Sequence, residues 1–362
     1  MLSPRIIPVH VTGGDYNVLV QPALLSDAGS HLRKLTTSKK CALVSDDAVH
    51  PLHAPALTTS LKSSGFGIIS ITLPSGEDHK TISSANLAYD QLLSAGIERS
   101  TPILALGGGV IGDTAGFVAA TLLRGLPLVQ IPTTLLAMVD ASVGGKTGVN
   151  HPVGKNLIGA FHQPLAVLID PTVLKTLPAR ELKSGLAECI KHDIIRDADG
   201  FAKLETTIDR ALSLDIDYLT GLIAHNVAIK AKVVESDPFE KADRAHLNFG
   251  HTFGHAIETV SHYSYTHGEC VALGMIAASR LAVSLNMLDP NSTDRITNLI
   301  RKANLPTSGL KLPLDELLHA MLFDKKIKSG KIRFILPDRI GHVVIRDDIP
   351  ENLVRKALES IA

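Results

Sequence analysis

Pro102-Ile103-Leu104-Ala105-Leu106-Gly107-Gly108-Gly109-Val110-Ile111-Gly112-Asp113 decides the fold class. A short apolar run reads as a buried strand, and it passes at once through glycines into a helical stretch. Gly107 to Gly112 formally matches G-x-G-x-x-G. Glycines there let the backbone approach a pyrophosphate at a helix N-terminus. The dinucleotide fingerprint also wants an acid at a strand end about 20 residues on. None is found there, and Asp113 follows the glycines directly. At this point a tight strand–helix turn explains the glycines as well as a nucleotide does.

Outward from this turn the same alternation recurs. Lys40–Val44, Gly67–Leu73, Leu126–Pro132 and Leu165–Asp170 read as further strands. Between Thr81 and Ala95, Ile82, Ala85, Tyr89, Leu92 and Leu93 follow helical spacing. Strands alternating with helices predict a mostly parallel sheet with helices on its faces. Asp46, at the end of the first of these strands, suits either a ribose hydroxyl or a turn cap.

Beyond Pro178 long helical patterns take over: Ala179–Ile195, Ser213–Ser236, His246–Val260 and Gly268–Leu285. Ile332–Ile335 and His342–Ile345 predict a late hairpin. The expectation is an α/β domain over residues 1–178 and a mainly α-helical domain over 179–362.

Composition narrows the function. Lys+Arg and Asp+Glu both number 36, so the chain lacks the basic excess of a general nucleic-acid binder. Three separated cysteines, Cys41, Cys189 and Cys270, argue against a disulfide framework and for a reducing compartment. Apolar runs are broken well before bilayer length, and the N-terminus lacks the pattern of a secretory signal. The cytoplasm is the expected location, with no membrane and no nucleic acid as partner.

Histidine clustering carries the strongest chemical signal. Six of the 16 histidines fall between His225 and His267. Asn248-Phe249-Gly250-His251-Thr252-Phe253-Gly254-His255 places two imidazoles four residues apart, on one helix face. That spacing suits a divalent metal. Thr252 stands where H-E-x-x-H has its general base, so a zinc protease is disfavoured. His267-Gly268-Glu269 opens the next helix and offers a third ligand. Glu188 is an acid on an apolar helix, and a metal would offset its burial. His225, His246 and His262 read as structural or surface residues.

Asp140-Ala-Ser-Val-Gly-Gly-Lys146-Thr-Gly resembles a phosphate loop but lacks the first glycine of Walker A. Gly154-Lys155-Asn156 repeats the theme. With Lys191, Lys230, Arg244 and the pair Lys325-Lys326, these lysines can neutralise a multiply anionic substrate. The residues alone point to a metal-dependent, nucleotide-binding enzyme acting on a small anion.

Taken together, the motifs resemble the 3-dehydroquinate synthase family along almost the whole chain. They are Pro-Ser-Gly-Glu77-Asp-His-Lys80, Gly107-Gly-Gly-Val-Ile-Gly-Asp113, Arg124-Gly, Pro-Thr133-Thr134 through Asp140 to Asn150, Gly-Lys155-Asn156, Ala-Glu188-Cys-Ile-Lys191, Arg244 through His255, and His267-Gly-Glu. The resemblance implies conversion of 3-deoxy-D-arabino-heptulosonate 7-phosphate to 3-dehydroquinate and phosphate, a shikimate-pathway step towards chorismate and the aromatic amino acids. It implies NAD used catalytically, with transient oxidation, phosphate elimination, reduction and intramolecular aldol closure. A homodimer is implied as well.

By matching motif, Glu188, His251 and His267 would ligate Zn2+, with Co2+ as an alternative. Lys146, Asn156, Asn248 and His255 would surround the substrate phosphate, helped by Lys325 or Lys326 and by Arg124 from a partner subunit. Lys230 and Arg244 would hold the carboxylate. Asp140, Lys155 and Lys191 would contact hydroxyls or position the metal. Asp46, Glu77, Lys80, Gly108, Gly109, Val110, Asp113, Thr133, Thr134, Thr176 and Leu177 would bind NAD, with Lys146 and Lys155 near it.

Two other enzymes fit parts of this pattern. A sister sugar-phosphate cyclase would share fold, NAD and metal but close another sugar phosphate; Lys230, Arg244, Asn248 and His255 favour a carboxylate-bearing substrate. A metal-dependent polyol dehydrogenase would not need so many anion-binding lysines. A catalytically dead binding module would be expected to have lost a metal ligand, and none is missing.

Overall fold

The computed structural model describes residues 4–240, 243–324 and 332–362; Lys325 and Lys326 lie outside the described residues. Its chain divides into two units: Met1–Leu177 with Ile216–Phe239, and Pro178–Asp215 with Glu240–Ala362.

The first unit is built on a seven-stranded sheet. Its strands are β1 (Arg5–Val9), β2 (Tyr16–Val20), β3 (Lys40–Asp46), β4 (Gly67–Leu73), β5 (Ile103–Gly107), β6 (Leu128–Pro132) and β9 (Ala166–Ile169). The order is β1-β2-β9-β6-β5-β3-β4, parallel throughout except for the β1–β2 pair. Every residue of β5, β6 and β9 is buried, as expected where helices cover both faces of a parallel sheet. Ala42, Val44, Ile103, Ala105, Ala115, Val118 and Leu128 form part of one apolar core. From β3 the chain crosses outward to β4, then returns to place β5 on the other side of β3. That reversal is a topological switch point, and ligands bind outside the carboxyl ends of the strands that flank it. Asp46 ends one flanking strand and Gly107 the other.

The segment with Lys146 and Lys155 is a hairpin rather than a pair of loops. β7 (Lys146–His151) pairs antiparallel with β8 (Gly154–Phe161). Gly148 and Gly159 face each other so closely that a Cβ on Gly159 would lie 2.3 Å from the Thr147 carbonyl oxygen. Gly148 and Gly159 therefore serve strand pairing. The helix Ile216–Ser236 packs on β1 and on the π-helical turn Ala137–Ala141 of the same unit.

The second unit is mainly helical, as the sequence predicts. Its central helix, His267–Ser284, is buried along most of its length and packs against Ala179–Arg196, His251–Val260, Pro290–Lys302 and Glu351–Glu359. The expected continuous helix over His246–Val260 is corrected. A 3-10 turn, Asp243–Asn248, comes first, and the α-helix starts at His251. Gly250 breaks them with φ 79°, and a Cβ there would meet Met275 at 2.8 Å. The hairpin forms slightly later than expected, as β10 (Phe334–Arg339) against β11 (His342–Arg346). Among the described residues no helix is long and apolar enough to cross a membrane.

Candidate active site

In the second unit three predicted ligands converge. Glu188 comes from helix Ala179–Arg196, His251 from the first residue of its helix and His267 from the first residue of the next. Their ligating atoms lie within 4.8 Å of one another. His267 Nε2 is 3.3 Å and His251 Nε2 3.7 Å from Glu188 Oε1. Close backbone packing makes this possible. A Cβ on Gly268 would sit 2.3 Å from the Ser184 carbonyl oxygen, and one on Gly274 would sit 2.0 Å from that of Gly250. Thr266 and Glu269 close a capping box at the start of the His267 helix, and Arg180 grips Glu269 at 3.0 and 2.7 Å. Glu269 is thus a cap, while its neighbour two residues back points to Glu188.

Both ligand imidazoles are oriented from behind. His251 Nδ1 donates to the Phe249 carbonyl oxygen at 3.1 Å, and His267 Nδ1 donates to Glu258 Oε1 at 2.8 Å. These acceptors fix the tautomer that leaves Nε2 for a metal. Burial holds His251 well below the usual histidine range, with Lys191 adding to the effect. Burial also presses on His267, but hydrogen bonds to Glu188 and Glu258 outweigh it and raise the pKa to about 10. Burial opposes the charge on Glu188 too, yet Lys191 and the two histidines hold its carboxyl well below the usual range. Lys191, itself buried, forms an ion pair with Glu188 Oε2. Two imidazole nitrogens and a carboxylate oxygen form the donor set of a catalytic zinc site, and cobalt suits the same donors. The residues present fit that metal.

Asn248 and Arg244 share the turn before His251. Asn248 Nδ2 donates to Glu240 Oε1 at 3.0 Å, and Arg244 is only 2% exposed. The His255 ring stands edge-on to that of His251, centroids 5.3 Å apart.

In the first unit the helix Gly109–Thr121 begins at Gly108 without a side-chain cap. Its first N–H groups face the switch point, an arrangement suited to a pyrophosphate. Thr133 Oγ1, just after β6, is buried without a hydrogen-bond partner. Thr134 packs its methyl over Gly108 and accepts a hydrogen bond from the Ala137 N–H. Val110 follows Gly109 on the first turn. An uncapped helix start beside an orphaned hydroxyl fits a dinucleotide. Asp46 Oδ1 caps the following turn, accepting from the Ala48 and Val49 N–H groups at 3.0 and 2.8 Å.

A polar network joins Glu77, Lys80, Asp113 and the hairpin. Lys80 Nζ donates to Asp113 Oδ2 at 2.6 Å and to Asn156 Oδ1 at 2.5 Å. Asn150 Nδ2 donates to Glu77 Oε1 at 2.8 Å, and Lys155 approaches the same oxygen at 3.8 Å. Asn156 takes a left-handed backbone, φ 55°. Burial raises the Asp113 carboxyl above the usual range despite Lys80. Separately, Lys230 Nζ donates to both the carbonyl and carboxylate of Asp140 at 2.5 Å. Lys146 is exposed at the head of β7. Arg124 is exposed on a turn with φ 68°. Thr176 and Leu177 close the first unit's main segment, and Thr176 Oγ1 meets His53 Nε2 at 2.8 Å.

Sequence reasoning missed Glu258, Asn150 and His53 as supports of this machinery. Glu258 lies seven residues after His251, the two-turn helical spacing that would have revealed it.

The chain is similar to known proteins along nearly its whole length. Residues 70–184 match the family model described as 3-dehydroquinate synthase N-terminal, and residues 185–327 match 3-dehydroquinate synthase C-terminal. The 3-dehydroquinate synthase of Nostoc punctiforme is 46% identical over 362 residues, covering 98% of this chain and 99% of that one. Among solved structures, ValA, a 2-epi-5-epi-valiolone synthase from Streptomyces hygroscopicus subsp. jinggangensis with NAD+ and Zn2+ bound, is 29% identical with a TM-score of 0.90. The match covers 97% of this chain and 98% of that chain. A 2-deoxy-scyllo-inosose synthase complexed with carbaglucose-6-phosphate, NAD+ and Co2+ is 25% identical with a TM-score of 0.88, covering 99% and 100%.

Proposed function

The chain belongs to the 3-dehydroquinate synthase family, and on that premise we infer that it converts 3-deoxy-D-arabino-heptulosonate 7-phosphate to 3-dehydroquinate and phosphate, using NAD and a divalent metal. The observation that carries this reading is the convergence of Glu188, His251 and His267, with Lys191 beside them, in a chain so similar to 3-dehydroquinate synthases. When bound, the metal supplies Lewis-acid polarisation of a hydroxyl, and NAD+ supplies a reversible hydride acceptor.

The protein's own residues do the rest. Gly108, Gly109 and Val110 present backbone N–H groups to the dinucleotide phosphates. Thr133 Oγ1 and Thr134 lie beside them, and Asp46, Glu77, Lys80, Asp113, Thr176 and Leu177 hold the remainder of the cofactor. Lys146, Asn156, Asn248 and His255 neutralise and bond the substrate phosphate. Arg244 and Lys230 take the carboxylate; a buried guanidinium suits that planar anion. Asp140, Lys155 and Lys191 orient hydroxyl groups, and Lys191 also balances the charge of Glu188. Lys325 or Lys326 adds a further cation to the phosphate.

A homodimer belongs to the same reading, with the exposed Arg124 as its contribution to a neighbouring copy. The cytoplasm is the compartment that three buried cysteines outside any disulfide favour.

Phosphate release with substoichiometric NAD+ tests the activity. Many turnovers per NAD+ are expected with 3-deoxy-D-arabino-heptulosonate 7-phosphate, and none with sedoheptulose 7-phosphate or glucose 6-phosphate. Release from either of the latter alone would move the chain to a sister cyclase activity.

A further inference from the structure

We propose that Glu258 is a positioning residue of the metal centre, holding His267 by Nδ1 so that Nε2 is aimed at the metal position beside Glu188. The proposal rests on the reading of Glu188, His251 and His267 as the ligands.

Glu258 lies on the helix that His251 begins, two turns further along. Its side chain is 8% exposed and receives the His267 Nδ1–H at 2.8 Å. A buried carboxylate is costly unless paired, and here an imidazole pairs it. The Glu258 backbone is fixed as well. Its carbonyl oxygen accepts from the Tyr263 N–H at 3.0 Å and from Ser261 Oγ at 3.2 Å. One short helix therefore delivers the first histidine ligand at its start and the support of the second at its end.

The two imidazoles are held unequally. His251 leans on a neutral carbonyl, that of Phe249, whereas His267 leans on a carboxylate. A charged acceptor at Nδ1 makes Nε2 a stronger donor to a cation and fixes the ring more firmly. Glu258 thereby makes His267 the stronger of the two nitrogen ligands, although it does not touch the metal position itself.

The test titrates Zn2+ into wild-type protein, Glu258→Gln and Glu258→Ala against a chromophoric chelator, and records the visible spectrum of each Co2+ form. Affinity is expected to fall about tenfold in Glu258→Gln and up to about 100-fold in Glu258→Ala. The Co2+ bands are expected to shift in both. Wild-type affinity with unshifted bands in both variants would overturn the proposal. Glu258→Gln keeps the volume and an acceptor, so it decides alone if the alanine variant fails to fold. His267→Ala separates the underlying reading. If it binds Zn2+ as tightly as wild type, the ligand set is wrong and the proposal falls with it.

Discussion

Gly268 sits against Ser184 with no space for a side chain: its N–H donates to Ser184 Oγ at 2.9 Å, and a Cβ would fall 2.3 Å from the Ser184 carbonyl oxygen. Glu188 follows Ser184 by one helical turn, and His267 precedes Gly268. This crossing of two helices therefore sets the distance between two metal ligands. Gly268→Ala should force the helices apart at a cost of about 1–3 kcal/mol. It should also release Zn2+ more readily. Thermal melts and metal analysis after dialysis check both; full metal retention would show that the crossing does not place His267.

His251→Ala should lose turnover and most metal while the fold survives, because the helix starts at Gly250 whatever follows. Circular dichroism and metal stoichiometry read the two separately. Activity retained by metal-depleted mutant protein would sink the metal assignment.

Lys80→Met should weaken NAD+ binding and destabilise the first unit. The substitution leaves Asp113 without its ammonium, and burial already raises that carboxyl above its usual range. Losing one partner of a buried pair costs about 3–5 kcal/mol; the low end applies here, since the Asp113 side chain keeps 21% of its surface. Calorimetric titration with NAD+ and a urea melt are the measurements. Loss of stability without loss of NAD+ affinity would make the network purely structural.

Arg244→Lys should raise KM for the substrate about 10–100-fold, the worth of a charged hydrogen bond of about 1.5–3 kcal/mol. A lysine keeps the charge but not the two-pronged geometry. Steady-state kinetics decide, and an unchanged KM would remove Arg244 from carboxylate binding.

The three cysteines should be inert in the native protein at pH 8. Burial pushes the Cys41 thiol up to about 12 and Cys189 well above its usual range. Thiolate is the reactive form, so a raised pKa means less of it at any pH below that value. A colourimetric thiol reagent should find none before denaturation and three after. Rapid native labelling would contradict the packing.

Much of the fold was legible because its signals are local. Five parallel strands announced themselves as short apolar runs, and β4 falls on the residues predicted, Gly67–Leu73. β1 and β2 were not read. Pro8 interrupts the first, and the pair is covered by elements distant in sequence, β9 beside β2 and the helix Ile216–Ser236 over β1. The break at Gly250 was hidden for a similar reason: the helical pattern runs on, and what sets Gly250 apart is the close packing of another helix against it, through Val271, Gly274 and Met275. At the metal centre the charged and imidazole residues were visible through composition and spacing. What orients them was less so, because the Phe249 carbonyl is backbone and Glu258 looks like any helix-end acid. Asp46 shows the opposite limit, since one residue type serves both a ribose and a turn, and its visible hydrogen bonds are those of a turn.

The helix Ile216–Ser236 has a consequence for the life of the chain on the ribosome. It completes the first unit, covering β1, yet it is made after Pro178–Asp215 of the second. The first unit therefore cannot finish folding when its sheet has emerged. It must wait, with its β1 flank open, until some 60 further residues have been synthesised. A fragment cut at Leu177 would keep that flank open for good, so neither unit can be recovered by a single cleavage of the chain.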